Sequence, residues 1–283
     1  MNNKATQGKD LLSVILRGIT VAAAVITGVT VAIIVGYILI KGIPSIDSSL
    51  FALNYTSDNQ SLTTSFINTV LMTALALVIA VPLGVGAAIY LTEYTRNSGK
   101  LVTLIRYAAE TLAGIPSIVY GLFGMLFFVV SLRMGFSLLA GSLTIAIMVL
   151  PTIMRTSEEA LLSVPMQYRE GAFALGAGKL RTVFRVILPA ASSGILSGMI
   201  LAIGRIVGES AALIFTAGTV AEFPTSVFSS TRTLSVHMYS LASEGLHIDK
   251  AYATAVVLLA LVAIINAAAL LVMRRITKGR QHL

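Results

Sequence analysis

The sequence predicts an all-α, polytopic membrane protein with six transmembrane helices. Of its 283 residues, 56% are apolar and only 11% are charged, whereas an ordinary soluble domain has about 25% charged residues. The mean hydropathy is +0.90, and a single soluble core cannot bury so large an apolar fraction. The sequence also lacks segments of about ten residues that alternate apolar and polar positions, so helices are the expected spanning elements.

Six long runs with few or no charges each have the length of a spanning helix, about 20 residues. They comprise residues 18–40, 66–91, 111–132, 134–154, 190–217 and 251–273. The fifth run differs from the others because Arg205 and Glu209 lie within it. The first run is longer than the apolar region of a signal peptide, roughly 7–15 residues, so we expect it to be a retained helix.

Lys and Arg are distributed unequally between the flanks of these runs. Fifteen of them lie on the side that carries both termini, against four on the other side. Because cytoplasmic flanks are enriched in Lys and Arg, both termini are expected in the cytoplasm. The formal net charge of +8 is explained in part by this topology, so no nucleic-acid partner is required.

The chain divides into three predicted parts. Residues 1–63 comprise the cytoplasmic N-terminus, the first span and an outer loop. Residues 64–273 form the transmembrane domain, with a cytoplasmic segment at about 155–190, and residues 274–283 form a basic cytoplasmic tail.

Little in the sequence points to catalysis. The chain has no cysteine and only three histidines, which excludes disulfides, cysteine-ligated metals and thiol catalysis. Ser117 has no histidine within a span that could activate it, so a nucleophile–base pair in the membrane is not expected. We predict no catalytic residue, no metal site and no cofactor in this chain.

The segment at 155–190 is too polar to span a membrane and too regular for a loose linker. Pro165 is expected to start a helix, and Gly176 with Gly178 to form a turn, since glycine adopts left-handed conformations without a Cβ clash. An apolar helical face then follows at positions i, i+3, i+4 and i+7. Its residues are Leu180, Val183, Phe184 and Ile187. Pro189 is expected to end this helix before the fifth span. Such a unit fits either lipid headgroups or a cleft on a partner protein.

Part of this segment, REGAFALGAGKLRTVFRVILP, resembles the cytoplasmic signature of ABC importer permeases. That signature is Glu-Ala-Ala, three residues, Gly, nine residues, an aliphatic residue, one residue, and Leu-Pro. The matching residues are Glu170, Gly171, Ala172, Gly176, Val186, Leu188 and Pro189. Gly171 replaces the usual alanine, which is expected to weaken the helix by up to about 1 kcal/mol. The resemblance implies that this segment docks on an ATP-binding subunit.

Four further segments resemble the permeases of phosphate-specific importers, and the stretch GRIVGESAALIFTAG in the last of them resembles the PstA-type subunit more than its PstC-type partner. They are AIYLTEYT (88–95), AGIPSIVYGLFG (113–124), PTIMRTSEEAL (151–161) and LAIGRIVGESAALIFTAG (201–218). The resemblance implies a fold similar to that of the methionine and molybdate importer permeases, with a five-helix core and one additional N-terminal helix.

The same resemblance implies the partners of the chain. They are a second, PstC-like permease, two PstB-like ATP-binding subunits and a PstS-like extracytoplasmic phosphate-binding protein, assembled in the lipid bilayer of a prokaryotic inner membrane. ATP and Mg²⁺ are expected on the ATP-binding subunits, whose closure drives alternating access. The sequence agrees, because at GAGKL Phe173 replaces the first glycine that a P-loop requires, and Leu180 replaces its Ser or Thr.

Charged residues in or beside the spans are the candidates for the substrate path. A charge in a bilayer is costly, so it normally pairs or faces a cavity. Arg205 and Glu209 are four residues apart and are expected on one helical face, and Arg155 and Glu158 are expected to form a second pair at the cytoplasmic end of the fourth span. The first pair either locks helices together or places Arg205 on the path, because a guanidinium matches the oxygens of phosphate. The second pair is either two ordinary interfacial charges or marks the exit.

Two other functions fit the same residues. Permeases for sulfate, molybdate or phosphonate share the signature at 170–189, so another oxyanion remains an alternative to phosphate. An ATP-independent secondary transporter or channel would have inverted repeats or broken helices. No repeat is visible in the sequence, although the Gly- and Pro-containing segment 113–124 fits a broken helix.

Overall fold

The computed structural model describes residues 4–95 and 99–278, with side chains described for 13–95 and 99–271. All regular elements in this part of the chain are helical, which confirms the predicted all-α class. The α-helices are α1 (Lys4–Gly42), α2 (Thr63–Ile89), α3 (Lys100–Ala113), α4 (Ser117–Gly124), α5 (Leu138–Leu162), α6 (Met166–Ala174), α7 (Lys179–Thr182), α8 (Leu188–Gly208), α9 (Ala211–Ile214), α10 (Leu234–Glu244) and α11 (Ile248–Lys278).

Shorter helical turns connect or extend these helices. Two 3₁₀ turns follow α1, at Ile43–Ser45 and Ser48–Phe51. Wider π-helical turns extend α2, α4 and α7, at Tyr90–Tyr94, Met125–Ser131 and Val183–Ile187. Arg96, one of the predicted basic flank residues, and residues 279–283 of the predicted basic tail lie outside the described residues.

Five helical stretches in the described residues are long and apolar enough to cross a membrane. They are Ser13–Ser45, Thr63–Tyr94, Leu138–Leu162, Lys179–Gly208 and Ile248–Leu271. The sixth candidate is a bent pair, Lys100–Ala113 with Ser117–Ser131, which turns by 102°. The third predicted span, 111–132, therefore contains this bend near its start instead of forming one straight helix. The bend lies at Gly114 and Pro116, because proline disfavours the helical conformation of the residue before it.

The prediction that Pro189 ends a helix before the fifth span is also wrong. α7, the π-helical turns and α8 form one continuous stretch, Lys179–Gly208, with Pro189 in the first turn of α8. In a regular α-helix, the proline ring would clash with the carbonyl four residues earlier and remove a hydrogen bond. The π-helical turns directly before Leu188 change that spacing, which allows the helix to continue.

α2, α5 and α8 form the centre of the bundle, and α5 is largely buried by its neighbours. The main apolar contacts come from Met72, Ala76 and Ala80 on α2 and from Ile145, Met148 and Val149 on α5. α8 approaches α5 closely at Gly198, where a Cβ atom would overlap the side chain of Thr156. Small residues at such contacts permit the close packing that stabilises helix pairs in lipid.

α1 lies outside this core and packs on α11. Tyr37 and Tyr252 meet edge to face with their ring centres 5.8 Å apart. Beyond α1, Lys250 Nζ donates to Asp47 Oδ2 at 2.7 Å, and this hydrogen bond, with a second from Ser49, lowers the pKa of the Asp47 carboxyl from 3.8 to about 2. The predicted arrangement of a core with one additional N-terminal helix is confirmed.

The two ends of the bundle are called here the α6 end and the α10 end. At the α6 end, α5 finishes at Leu162 and leads into α6. At the α10 end, the N–H of Leu138 at the start of α5 donates to the carbonyl of Ser229 at 2.9 Å. α2 begins at the α10 end, where the hydroxyl of Thr69 accepts from the N–H of Leu234 at 2.8 Å.

Candidate functional site

The residues of the importer signature form a short helix and a glycine turn at the α6 end. Pro165 directly precedes α6, as predicted. Gly176 has a φ of +79°, a left-handed conformation that costs other L-residues about 1–2 kcal/mol. Its N–H donates to the carbonyl of Phe173 at 2.9 Å, which closes the turn. α5 continues to Leu162 and the next long helical stretch begins at Lys179, so residues 163–178 connect the two.

The side chains of α6 and of the glycine turn are largely exposed. α6 contains no buried residue, and Leu175, at the tip of the turn, is 90% exposed. Other large apolar side chains exposed here are Met166, Tyr168 and Phe173. Exposed apolar surface of this kind marks sites of contact with a protein or a membrane.

The six predicted coupling residues lie in two places. Glu170, Gly171 and Gly176 are exposed and Ala172 is half-buried, whereas Leu188 and Pro189 belong to the first turn of α8. Their role in coupling stays a prediction.

Arg169 fixes this segment to the bundle. Its Nη2 atom lies 2.6 Å from Oε1 of Glu93, and its Nε atom donates to the same oxygen at 3.2 Å. The guanidinium also donates to two carbonyls at the end of α5, those of Leu161 at 3.0 Å and Val164 at 2.8 Å. Both charged side chains are nearly buried, at 12% and 8% exposure. α6 is thus joined to α2 and α5 at once.

A second group of charges lines a cavity of about 430 Å³ between α3 and α5 at the α6 end. Glu158 is bound there by Arg106, with Nη2 and Nε at 2.5 and 2.9 Å from Oε1. Arg155 instead contacts Glu159 at 3.3 Å and Glu110 at 3.9 Å. The predicted Arg155–Glu158 pair is therefore wrong. Both residues line the cavity, but each has a different partner.

Glu209 lies outside the fifth span, so the predicted sharing of one helical face with Arg205 is wrong as well. α8 ends at Gly208, and Glu209 has an extended backbone, with φ −75° and ψ 127°. Its carboxylate accepts a hydrogen bond from the N–H of Ala212 at 3.0 Å. A carboxylate that satisfies an N–H three residues later caps the following helix and competes with continuation of the preceding one.

Arg205 lines a cavity of about 660 Å³ between α5, α8 and α11. The arginine is half-buried and forms no ion pair with any carboxylate of the described residues. Polar groups of Thr152, Ser197 and Asn266 line the same cavity. Asn266 was not among the residues that the sequence indicated. Its signal is a single amide in the otherwise apolar run AIINAAALL of the last span.

The described residues contain no group of three or more His, Cys, Asp or Glu side chains that could hold a metal ion. Arg155, Glu158 and Arg205 line cavities, whereas the carboxylate of Glu209 is bound to the N–H of Ala212. The arrangement therefore provides cationic groups for an anion within a helical bundle and an exposed helix–turn for a partner protein.

The chain is also similar to known proteins. A family model described as the binding-protein-dependent transport system inner membrane component matches residues 80–281. The chain is 32% identical over 261 residues to the probable ABC transporter permease protein YqgI of Bacillus subtilis, spanning 87% of this chain and 86% of that protein. It is 37% identical over 205 residues to the phosphate transport system permease protein PstA of Xylella fastidiosa, spanning 72% of this chain and 71% of that protein.

Solved structures show the same fold at lower sequence identity. The chain matches a bacterial alginate ABC transporter with a TM-score of 0.67 and 17% identity, over 95% of this chain and 99% of that one. It matches the MetNI methionine ABC transporter, in an inward facing conformation, with a TM-score of 0.60 and 22% identity, over 76% of this chain and 94% of that one.

Proposed function

Because the chain belongs to the family of binding-protein-dependent transport system inner membrane components, we propose that it is the permease subunit that carries inorganic phosphate into the cytoplasm in an ATP-driven importer. The observation that carries this proposal is Arg205, a cation within a span that lines a cavity with hydroxyl and amide groups. Relatives named as phosphate transport system permease proteins support phosphate as the substrate.

The chemistry of Arg205 suits this role. A charged side chain at the middle of a bilayer costs at least about 2.5–3.5 kcal/mol, so it normally faces a partner or a path. Since Glu209 caps α9 instead of pairing with it, the donors of Arg205 are available to an anion that enters the cavity. A guanidinium offers several N–H groups in a planar fork that matches two oxygens of phosphate.

The cavity at the α6 end is proposed as the exit. Arg155 is the exposed cation there, with 64% of its side chain accessible. Glu158 is neutralised by Arg106, so we assign it a positioning role on Arg106. The neighbouring carboxylates would repel a departing anion and thereby prevent tight binding at this end. Of the four predicted path residues, Arg205 and Arg155 therefore contact the anion. Glu209 binds the N–H of Ala212, and Glu158 positions Arg106.

The remaining subunits supply the energy and the substrate. The exposed α6 segment would dock on an ATP-binding subunit, and two such subunits would close on ATP and drive the permease pair between inward-open and outward-open states. A PstC-like second permease and a PstS-like binding protein complete the proposed importer. In this arrangement, the α6 end and both termini face the cytoplasm, in agreement with the distribution of Lys and Arg.

Uptake by the complete importer tests the proposal. The complex of both permeases and both ATP-binding subunits is reconstituted in vesicles with its binding protein, and uptake of labelled phosphate is measured against sulfate and molybdate. Arg205→Lys keeps the charge but loses the fork, so phosphate uptake should fall while assembly and ATP hydrolysis persist. Arg133→Lys, at an exposed arginine in the turn before α5, is the matched control and should transport normally.

The outcomes separate the alternatives. Full uptake by Arg205→Ala in a normally assembled complex would exclude Arg205 from the path. Loss of assembly in both Arg205 variants would instead assign it to helix packing. Uptake of sulfate or molybdate in place of phosphate would support the importer function and show that its substrate is a different oxyanion.

A further inference from the structure

A buried cation, Arg232, lies at the α10 end, just before the start of α10. Only 6% of its surface is exposed. The central carbon of its guanidinium lies 4.6 Å from the centre of the Tyr55 ring, which covers one face of the group. Its Nε and Nη2 atoms are sealed from solvent and have no hydrogen-bond partner. No carboxylate of the described residues forms an ion pair with it.

Other buried polar atoms without a partner belong to residues of α2, of α10 and of the chain just before it. Asn68 on α2 donates from Nδ2 to the carbonyl of Arg232 at 3.3 Å, and Ser65 lies one turn earlier on α2. Seven of the eight buried side-chain nitrogen and oxygen atoms that lack a partner in the described residues belong to Ser65, Asn68, Thr231, Arg232 and His237. Since buried polar groups are normally paired, these residues form a local concentration of unmet hydrogen-bonding capacity.

The net charge of this region comes from Arg232. The ring of His237 meets Tyr55 edge to face at 6.1 Å, and burial, followed by the positive charge of Arg232, lowers the pKa of His237 from 6.5 to about 4. His237 is therefore neutral at pH 7, although the backbone of Gln60 favours its charged form slightly. Glu222 contributes only its backbone carbonyl, to Asn68 at 3.2 Å, and the carboxylate of Glu209 is bound to Ala212.

We propose that the Arg232 cluster, defined as Tyr55, Ser65, Asn68, Thr231, Arg232 and His237, is an oxyanion-binding site that receives the substrate before it reaches Arg205. The proposal rests on the proposed function for the direction of transport and for the nature of the anion. It adds a third cation to the path, after Arg205 and Arg155, at the extracytoplasmic end of the permease.

The donor set fits an oxyanion. Nε and Nη2 lie on the same edge of a guanidinium and form the fork that binds two oxygens of one anion. The hydroxyls of Ser65 and Thr231 can donate to further oxygens. Each of these donors is without a partner in the structure, so an anion would not have to displace existing hydrogen bonds.

The position of the cluster connects it to the cavity at Arg205. Ser235, three residues after Arg232, donates from its hydroxyl to the carbonyl of Glu209 in the break after α8. Val236 packs in the same apolar cluster as Ala202 and Ile206, which flank Arg205 on α8. The Arg232 cluster thus lies next to the end of the helix that carries Arg205.

Tyr55 covers one face of the Arg232 guanidinium. Its ring lies on the guanidinium, and its hydroxyl donates to Oε1 of Gln60 at 2.8 Å, within the connection between the 3₁₀ turns and α2. Because Nε and Nη2 are sealed from solvent, an anion reaches them only after the surrounding chain moves, and the connection that carries Tyr55 is the segment whose movement the proposal requires. In the proposal, this movement accompanies docking of the binding protein at the α10 end.

Thiol accessibility in the complete importer tests the site directly, since this chain has no cysteine. Thr231→Cys is exposed to a membrane-impermeant thiol reagent during ATP-driven turnover with the binding protein, and labelling is followed on this chain by mass. Phosphate should slow the labelling by at least about tenfold, the effect of one charge-assisted pair. In Arg232→Gln, phosphate should give no protection. Ser226→Cys, at an exposed serine of the same loop, should be labelled equally with and without phosphate.

Each outcome decides between the proposals. Absence of labelling at Thr231→Cys during turnover, or labelling that no transported anion slows, would overturn the site. Phosphate uptake at the normal rate in both Arg232→Lys and Arg232→Gln would overturn it as well. Protection by sulfate or molybdate alone, in an importer that transports that anion, supports the site and refutes the specificity for phosphate. If Arg232→Gln fails to assemble, protection of Thr231→Cys with Arg232 intact still decides the question.

Discussion

The guanidinium of Arg169 lies 2.6 Å from the carboxylate of Glu93, which is 76 residues earlier in the chain. Arg169 is the residue directly before Glu170 of the importer signature, and Glu93 lies in the π-helical turns that extend α2. Since the same guanidinium also binds the carbonyls of Leu161 and Val164, we expect a displacement of α6 to move α2 and α5 together.

Replacement of Glu93 by glutamine should therefore uncouple the importer. It leaves Arg169 nearly buried without its counter-charge, and removal of one partner of a buried ion pair costs about 3–5 kcal/mol. We expect less phosphate transported per ATP hydrolysed, and a lower thermal unfolding midpoint of the purified complex. The ratio of transport to ATP hydrolysis is measured in vesicles, and the unfolding midpoint is measured in detergent.

Glu244→Gln provides the control for this charge change, because Glu244 is an exposed acid at the end of α10. It should leave the ratio of transport to ATP hydrolysis and the unfolding midpoint unchanged. A Glu93→Gln complex with the same ratio and midpoint as the unmodified one would show that the Arg169–Glu93 pair transmits nothing.

Three glycines of the α6 segment should respond differently to alanine. A Cβ at Gly171, Gly176 or Gly178 would have no atom within 4 Å, so only backbone conformation separates them. Gly176→Ala should destabilise the turn by about 1–2 kcal/mol because of its positive φ, whereas Gly171→Ala should stabilise α6 by up to about 1 kcal/mol. Gly178→Ala, at a φ of −70°, is the nearly neutral control.

Thermal unfolding and coupled ATP hydrolysis of the assembled complex give the order of the three variants. A stability for Gly176→Ala equal to that of Gly178→Ala would contradict the left-handed turn. Normal assembly and uptake in Gly176→Asp, which adds a charge at the same exposed position, would contradict docking by this segment.

Local signals and long-range contacts differ in how well the sequence indicates them. Pro165 and Gly176 act on their own backbone, so the helix and the turn at 163–178 could be predicted. The break after Gly208 could not be predicted from helical spacing, because it depends on the carboxylate of Glu209 binding Ala212. Arg106 pairs with Glu158 over 52 residues, and such contacts depend on how the helices pack.

Asn266 should affect transport more than assembly. It lines the cavity of Arg205, and its amide can both donate to an oxyanion and accept the proton of hydrogen phosphate. We expect Asn266→Leu to lower phosphate uptake several-fold, with normal recovery of the assembled complex. Ile264→Ala, at an exposed position of α11, is the control. Loss of assembly in Asn266→Leu alone would assign the amide to contact with the second permease.

The orientation in the membrane is tested by single cysteines in this cysteine-free chain. Ser57 and Ser226 are exposed near the α10 end, and Ser163 is exposed at the α6 end. An outside-only thiol reagent should label Ser57→Cys and Ser226→Cys in whole cells, and Ser163→Cys only after the membrane is opened. Labelling of Ser163→Cys from outside intact cells would reverse the proposed topology.

His237 should make the stability of the folded chain dependent on pH. Its pKa is lowered to about 4 in the folded state from 6.5, so the unfolded chain binds more protons between these values. The stabilisation is therefore present above pH 6.5 and is lost as the pH falls towards 4, with a slope of at most about 1.4 kcal/mol per pH unit. The unfolding midpoint of the purified complex, measured from pH 7.5 to 4.5, should decrease in the unmodified protein and decrease less in His237→Gln.

His247→Gln, at the only other histidine with a described side chain, is the control and should keep the pH dependence of the unmodified protein. Equal pH dependence in His237→Gln and the unmodified complex would show that His237 does not titrate on unfolding.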